Sequence, residues 1–181
     1  MTTAGVVLAA GEGKRFGGPK APYVHNGSRL VDTAVKVLSD AGCSPVFVVL
    51  GAWQGEVPNA TVLENSNWST GMGSSLQTAL NHLNSQSEID EVLVSLVDLP
   101  GLTSEAVARV VNSPGDIVVA CYDGKRGHPV KFARNTWPEL ATSAIGDQGA
   151  RAFIADHPDD IVLIEVGDVA TGEDMDIRPN T

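Results

Sequence analysis

Leu8-Ala9-Ala10-Gly11-Glu12-Gly13-Lys14-Arg15-Phe16-Gly17-Gly18-Pro19-Lys20 follows the apolar pair Val6-Val7 and decides how the rest of the chain is read. Glycines at 11, 13, 17 and 18 let backbone N–H groups converge on an anion without obstruction by Cβ atoms, and Lys14, Arg15 and Lys20 add mobile positive charge to the same turn. A cationic glycine loop at the end of an apolar strand suits a polyphosphate. Arg15 and Lys20 are expected to contact it, and Lys14 to face solvent.

Outward from this loop, apolar runs alternate with amphipathic segments. Residues 4–10 read as a strand, 29–41 as a helix with Leu30, Ala34, Val37, Leu38 and Ala41 on one face, and 46–50 as a second strand. A short strand at 61–64, a helix at 74–84 built on Leu76, Leu80 and Leu83, and a buried strand at 91–97 follow. Thr103 can cap the next helix, with Glu105 in its first turn. Residues 116–122 and 128–133 flank Asp123-Gly124-Lys125-Arg126-Gly127 as a hairpin, Asp147 can cap a helix running to about Asp156, and 161–166 forms a last strand. Unbroken apolar strands separated by helices predict an α/β fold: one Rossmann-like, three-layer α/β/α domain over residues 1–181, its sheet mainly parallel with a small antiparallel hairpin.

Composition narrows the function. The 181 residues carry a formal charge of −10 and 43% hydrophobic residues, which disfavours a duplex nucleic-acid binder or a polybasic membrane anchor. Any anionic ligand must therefore be captured locally. The two cysteines, Cys43 and Cys121, lack metal-type spacing, no apolar run reaches the ~20 residues of a membrane span, and the first residues do not read as a signal peptide, so a reduced cytoplasmic setting is expected.

In such sheets ligands sit beyond the carboxyl ends of the strands. Asp98 follows Val92–Val97 and precedes Pro100, and Asp168 follows Ile161–Val166. Two carboxylates at neighbouring strand ends beside a phosphate loop would suit Mg²⁺, which takes one or two carboxylates together with phosphate oxygens. Either acid could instead serve only as a turn residue.

Two standard phosphate motifs fail. Gly11-x-Gly13 reaches its next glycine at Gly17, one residue late for a dinucleotide fingerprint, and Lys20 is followed by Ala21 where a P-loop needs Ser or Thr. Residues 8–20 instead resemble the signature of the MobA-like nucleotidyltransferases, L-A-(A/G)-G-x-(G/S)-x-R-(F/M)-G-x-x-K. Residues 64–80 (ENSNWSTGMGSSLQTAL), 96–100 (LVDLP), 127–132 (GHPVKF), 146–151 (GDQGAR) and 168–174 (DVATGED) resemble further blocks of that family in order. Ala9-Ala10-Gly11 together with GMGSSL and GDQGAR is most similar to its molybdopterin cytidylyltransferases, whereas guanylyl-transferring relatives tend to carry Ala-Gly-Gly in the first block.

The resemblance implies transfer of a nucleotidyl group from CTP to the terminal phosphate of molybdopterin, with Mg²⁺ as cofactor and a molybdoenzyme as possible recipient of the product. It implies that Leu8, Ala9, Ala10, Gly11, Gly13, Arg15, Lys20, Gly71 and Ser75 hold the nucleotide. Arg15, Lys20 and Asp98 would serve catalysis, Asp98 and Asp168 would bind metal, and His128 and Arg151 would meet the acceptor. The family's usual ending is D-I-D-T-P-E-D, and residues 168–174 depart from it at Ala170 and Gly172. Other readings stay open: the same fold with GTP or another phosphorylated acceptor, a non-catalytic nucleotide or cofactor carrier, and an NAD-dependent oxidoreductase, which the loop spacing disfavours.

Overall fold

The computed structural model describes residues 1–179. Its elements are, in order, β1 (Thr3–Leu8), β2 (Val24–His25), β3 (Ser28–Arg29), α1 (Leu30–Asp40), β4 (Val46–Leu50), β5 (Thr61–Glu64), α2 (Met72–Asn84), β6 (Glu91–Leu96), α3 (Ser104–Val111), β7 (Ile117–Tyr122), β8 (Lys125–Ala133), α4 (Trp137–Ser143), α5 (Arg151–Asp156) and β9 (Ile161–Glu165). Seven of the strands form one sheet in the order β5-β4-β1-β6-β8-β7-β9. Neighbours pair in parallel except on the two sides of β8, which runs against β6 and β7. The α/β expectation holds.

Successive residues of the central strands serve opposite layers. Val7, Val48 and Leu93 pack with Leu30, Val31, Val35 and Leu38 of α1 and with Ala106, Val107 and Val110 of α3. Val6, Val49, Val92 and Val94 pack with Leu76, Leu80 and Leu83 of α2, Trp137 and Leu140 of α4, and Phe153 of α5. Because both faces are covered, the strands carry no polar alternation, and this is why they read as continuous apolar runs.

Several elements differ from expectation. The hairpin β7–β8 turns on Asp123-Gly124 alone, since Lys125 and Arg126 already pair with Tyr122 and Cys121. The two-residue pairs β2 and β3 form a separate small hairpin, too short for an alternating pattern to announce. Helix α4 was not expected; Pro138 in its first turn and the buried Trp137 and Leu140 mark it. Thr103 caps α3 as expected, its Oγ1 accepting from the Ala106 N–H at 3.2 Å. Asp147 caps nothing: it sits in a 3-10 turn, Gly146–Gln148, and α5 begins later, at Arg151, without a side-chain cap.

At the end of the sheet away from the glycine loop lies a buried charged network. Lys131 Nζ is 2.9 Å from Glu91 Oε1 and donates to the carbonyls of Ser113 at 2.7 Å and Val111 at 3.2 Å, just beyond and at the end of α3. Thr3 Oγ1 donates to the other oxygen of Glu91 at 2.8 Å. No helix among the described residues is long and apolar enough to cross a membrane.

Candidate active site

After β1 the chain passes into the glycine loop, which closes on itself. The N–H groups of Gly17 and Gly18 both donate to the Gly13 carbonyl, at 2.8 and 3.1 Å. Gly13 has φ +63°, and a Cβ there would fall on the Gly18 carbonyl oxygen, so the turn excludes a side chain at this position. Lys14 is largely exposed and pairs with Glu12 at 2.9 Å, the two of them at the rim of a cleft that opens from the loop.

Lys20 is the electrostatic centre. Its mostly buried ammonium lies 2.7 Å from Asp98 Oδ2 and 3.2 Å from Asp176 Oδ1, and the other oxygen of Asp176 lies 3.2 Å from Arg15. Burial works against the charge on Lys20, but the hydrogen bonds and charges of Asp98 and Asp176 outweigh it and raise its pKa. Asp176 arrives on the stretch after β9, which runs back across the carboxyl ends of the strands. The Thr171 N–H donates to Gly101 O at 3.1 Å and the Met175 N–H to Asp98 O at 2.8 Å. Arg178 then stacks against Phe16, 5.2 Å from the ring centre, and donates to Gly17 O at 3.3 Å. This returning strap ties the glycine loop to Asp98.

The expected pairing of Asp98 with Asp168 is not formed. Their strands are not neighbours: β8 and β7 stand between β6 and β9, three strand spacings or roughly 14 Å. Arg109 of α3 takes both oxygens of Asp168, at 2.7 and 3.0 Å, and holds this exposed carboxyl below its usual range. The acids that do gather near Asp98 are Asp174 and Asp176. Burial first, and then the charges of Asp98 and Asp176, push the Asp174 carboxyl upward. The signal was present as Asp174-Met175-Asp176, an acid-x-acid pair that begins six residues after Asp168, on the last residue of the block compared with the family's D-I-D-T-P-E-D ending.

As placed, no three ligating side chains among the described residues form a metal cluster. Asp98, Asp174 and Asp176 nevertheless crowd carboxylates around the Lys20 ammonium, and a divalent cation held by two of them and by phosphate oxygens would relieve that negative excess. The donor set fits Mg²⁺.

Two clefts open from the loop. One, of about 400 Å³, is lined by Leu8, Ala10, Gly11, Lys14, Trp68, Gly71, Met72, Ser75 and Asp147. The other, of about 180 Å³, is lined by Leu8, Ala9, Gly11, Gly13, Lys20, Met72, Val97 and Asp98. The structure thus brings the residues expected around a nucleotide to two adjoining clefts, except Arg15, whose exposed guanidinium lines neither and pairs with Asp176 instead. Ser75 also has a packing duty: its buried hydroxyl accepts from Asn65 Nδ2 at 3.0 Å. Trp68 both lines the larger cleft and packs on the core.

Asp98 and Arg151 are both near enough to His128 to act on its charge. The His128 backbone carbonyl accepts from Tyr122 at 2.6 Å, and its ring Nδ1 is 3.4 Å from Val94 O. Burial lowers the His128 pKa and Arg151 adds to this, against the opposing pull of the Val94 carbonyl and Asp98, so the imidazole is neutral at neutral pH. Arg151 is exposed at the start of α5 and has no ion-pair partner among the described residues. It also acts electrostatically on Asp174, which places it on the rim of the same site.

Comparison with known proteins adds relatives to this geometry. The chain is 39% identical over 188 residues to the nicotine blue oxidoreductase of Paenarthrobacter nicotinovorans, covering 95% of this chain and 91% of that protein. The crystal structure of the Rv0371c homologue from Mycobacterium sp. strain JC1 superposes with a TM-score of 0.81 at 25% identity, over 97% of this chain and 90% of that one. The manganese complex of Rv0371c from Mycobacterium tuberculosis H37Rv gives 0.73 at 23% identity, over 92% and 89%. The family model for the MobA-like NTP transferase domain matches residues 5–161. With loop, strand-end acid and both clefts in one frame, the chain belongs to the MobA-like NTP transferase family.

Proposed function

We propose that the protein transfers a cytidylyl group from CTP to the terminal phosphate of molybdopterin, releasing pyrophosphate. The observation that carries the transfer reading is the Lys20 ammonium held between Asp98 and Asp176 where the glycine loop meets the smaller cleft. The choice of CTP and molybdopterin rests on the first, GMGSSL and GDQGAR blocks.

In this reading an acceptor phosphate oxygen bonds to the α-phosphorus while the α–β bridging bond breaks, its electron pair leaving with pyrophosphate. Loop amides other than those of Gly17 and Gly18, which the Gly13 carbonyl already engages, and the Arg15 guanidinium would hold the leaving phosphates. Lys20 stands nearer the α-phosphorus and offsets repulsion between the two anions; a charge pair at 4 Å gains ~1 kcal/mol in bulk water and ~4 at an effective dielectric of 20, so the enclosure of Lys20 matters. Asp98 with Asp174 or Asp176 would hold Mg²⁺, which would supply further charge neutralisation on the phosphates; the manganese complex of Rv0371c is consistent with a divalent site in this fold. Neutral His128 and Arg151 face the acceptor. The product would pass to a molybdoenzyme, and a cytoplasmic setting suits that handover.

A second reading, a nicotinamide-dependent oxidoreductase, is favoured by the name of the 39% identical relative, a nicotine blue oxidoreductase. One assay separates the two. Pyrophosphate release with CTP, GTP or ATP and Mg²⁺ is followed with and without molybdopterin, and NADPH oxidation is followed in parallel with nicotine blue. The proposal expects release with CTP only when molybdopterin is added, and roughly a hundredfold loss in Lys20→Ala and Asp98→Ala with folding intact. Near-normal turnover in either variant removes that residue from the mechanism. CTP binding without release indicates another acceptor or a carrier, and NADPH oxidation without pyrophosphate release indicates the reductase.

A further inference from the structure

The segment Gly71-Met72-Gly73 and the turn Gly146–Gln148 are far apart in sequence, yet each explains the other. At Gly71, φ is +116°, a Cβ would run into the Gly146 carbonyl, and it would lie 2.7 Å from Asp147 Oδ1. At Gly73 a Cβ would lie 2.5 Å from the Ala144 carbonyl oxygen. Two missing side chains at the start of α2 therefore make the seat on which residues 144–147 rest. Gln77, one turn further along α2, fastens the approach by donating to the carbonyls of Ala141 and Ala144 at 3.0 and 2.9 Å. The product of this packing is the position of Asp147, which lines the larger cleft together with Gly11 and is near enough to Lys14 to act on its charge.

A carboxylate in a cleft that receives a polyphosphate is repelled by that ligand's charge, and away from the metal-holding acids it offsets this by accepting hydrogen bonds from a neutral part of the ligand. The apolar lining of the cleft, Leu8, Ala10 and Trp68, suits a base, and the glycine loop that borders it at Gly11 suits the phosphates. Between base and phosphates a nucleotide carries its sugar. A carboxylate has two oxygens able to take the two hydroxyls of a vicinal diol in charge-assisted bonds. We propose that Asp147 is the sugar-binding residue of this site, accepting hydrogen bonds from the ribose 2′- and 3′-hydroxyls and so selecting ribonucleotides over 2′-deoxyribonucleotides. This rests on the nucleotide-transfer reading and gives the GDQGAR block a duty on the nucleotide side, beside the acceptor-side duty of Arg151.

The test is calorimetric titration of CTP and 2′-deoxy-CTP, each with Mg²⁺, into the wild-type protein, Asp147→Asn and Asp147→Ala. Asp147 is exposed in a turn, so both variants should fold. Removing a negative charge near phosphates strengthens both ligands alike, and the ratio of their affinities cancels that gain. The wild type should bind CTP about tenfold more tightly than 2′-deoxy-CTP, and the ratio should fall to about one in Asp147→Ala and lie between in Asp147→Asn. A wild-type ratio near one, or the wild-type ratio retained in Asp147→Ala, overturns the assignment while leaving nucleotide binding intact. Failure of the wild type to bind either nucleotide overturns the transfer reading itself, and the assignment with it.

Discussion

Asp168 and Asp176 are eight positions apart, and the fold gives them opposite company. Arg109 neutralises the first on the outer face of α3, whereas the second bridges Lys20 and Arg15 at the mouth of the site. Asp176→Asn should therefore raise the Mg²⁺ concentration needed for half-maximal activity, by about tenfold for loss of one charge-assisted contact, and Asp168→Asn should leave it unchanged. A Mg²⁺ titration of pyrophosphate release checks both; the reverse pattern would return Asp168 to the metal site. Lys20 and Asp98 were legible because each sits beside an apolar strand in a motif with few uses. Asp176 was not, because its position depends on a thirteen-residue path from the end of β9, at Glu165, to Arg178 that no local pattern encodes.

Among elements, those that bury a repeating apolar face were legible from composition and period: β1, β4, β6 and β7 as runs, α1 and α2 as stripes, whereas α3 was marked by its Thr103 cap and the Glu105 of its first turn. The order of strands was not, since β8 folds back between β6 and β7 and carries β9 outward to the edge, a consequence of tertiary pairing. The same displacement separates Asp98 from Asp168. One local device holds the displaced edge: the exposed Glu165 carboxylate accepts the N–H groups of Gly167, Asp123 and Gly124 at 2.9, 3.0 and 3.2 Å, and joins β9 to the β7–β8 turn. Those backbone bonds lower its pKa from the ordinary 4.5. A carboxyl with a depressed folded pKa stabilises above its unfolded value and loses that contribution as pH falls through the folded one. Glu165→Gln should thus melt below the wild type at pH 7, and the gap should close as the pH is taken below 4.5. A gap that persists at the acid end would show that the bonds do not depend on the charge.

For the molecule as a whole, the two ends of the sheet use charge differently. At the end away from the clefts, Lys131 and Glu91 are almost wholly buried and satisfy one another, Thr3 and the carbonyls at the end of α3. Lys131→Met strands a buried carboxylate and should cost roughly 3–5 kcal/mol in urea unfolding, while the pair Lys131→Met with Glu91→Leu should recover much of that loss. Equal losses in the single and double variants would mean that packing around the stem of Lys131, rather than its charge, is what matters.

At the cleft end, Lys14, Arg15, Lys20, Arg151 and Arg178 gather on a chain whose formal charge is −10. These two fields have different reach. The overall negative charge acts at a distance, within a screening length of ~10 Å at 0.1 M salt, whereas the cations act mainly at contact. Added salt therefore lowers the barrier that a nucleotide meets on approach and weakens its hold once it arrives, so arrival and departure both quicken as ionic strength rises.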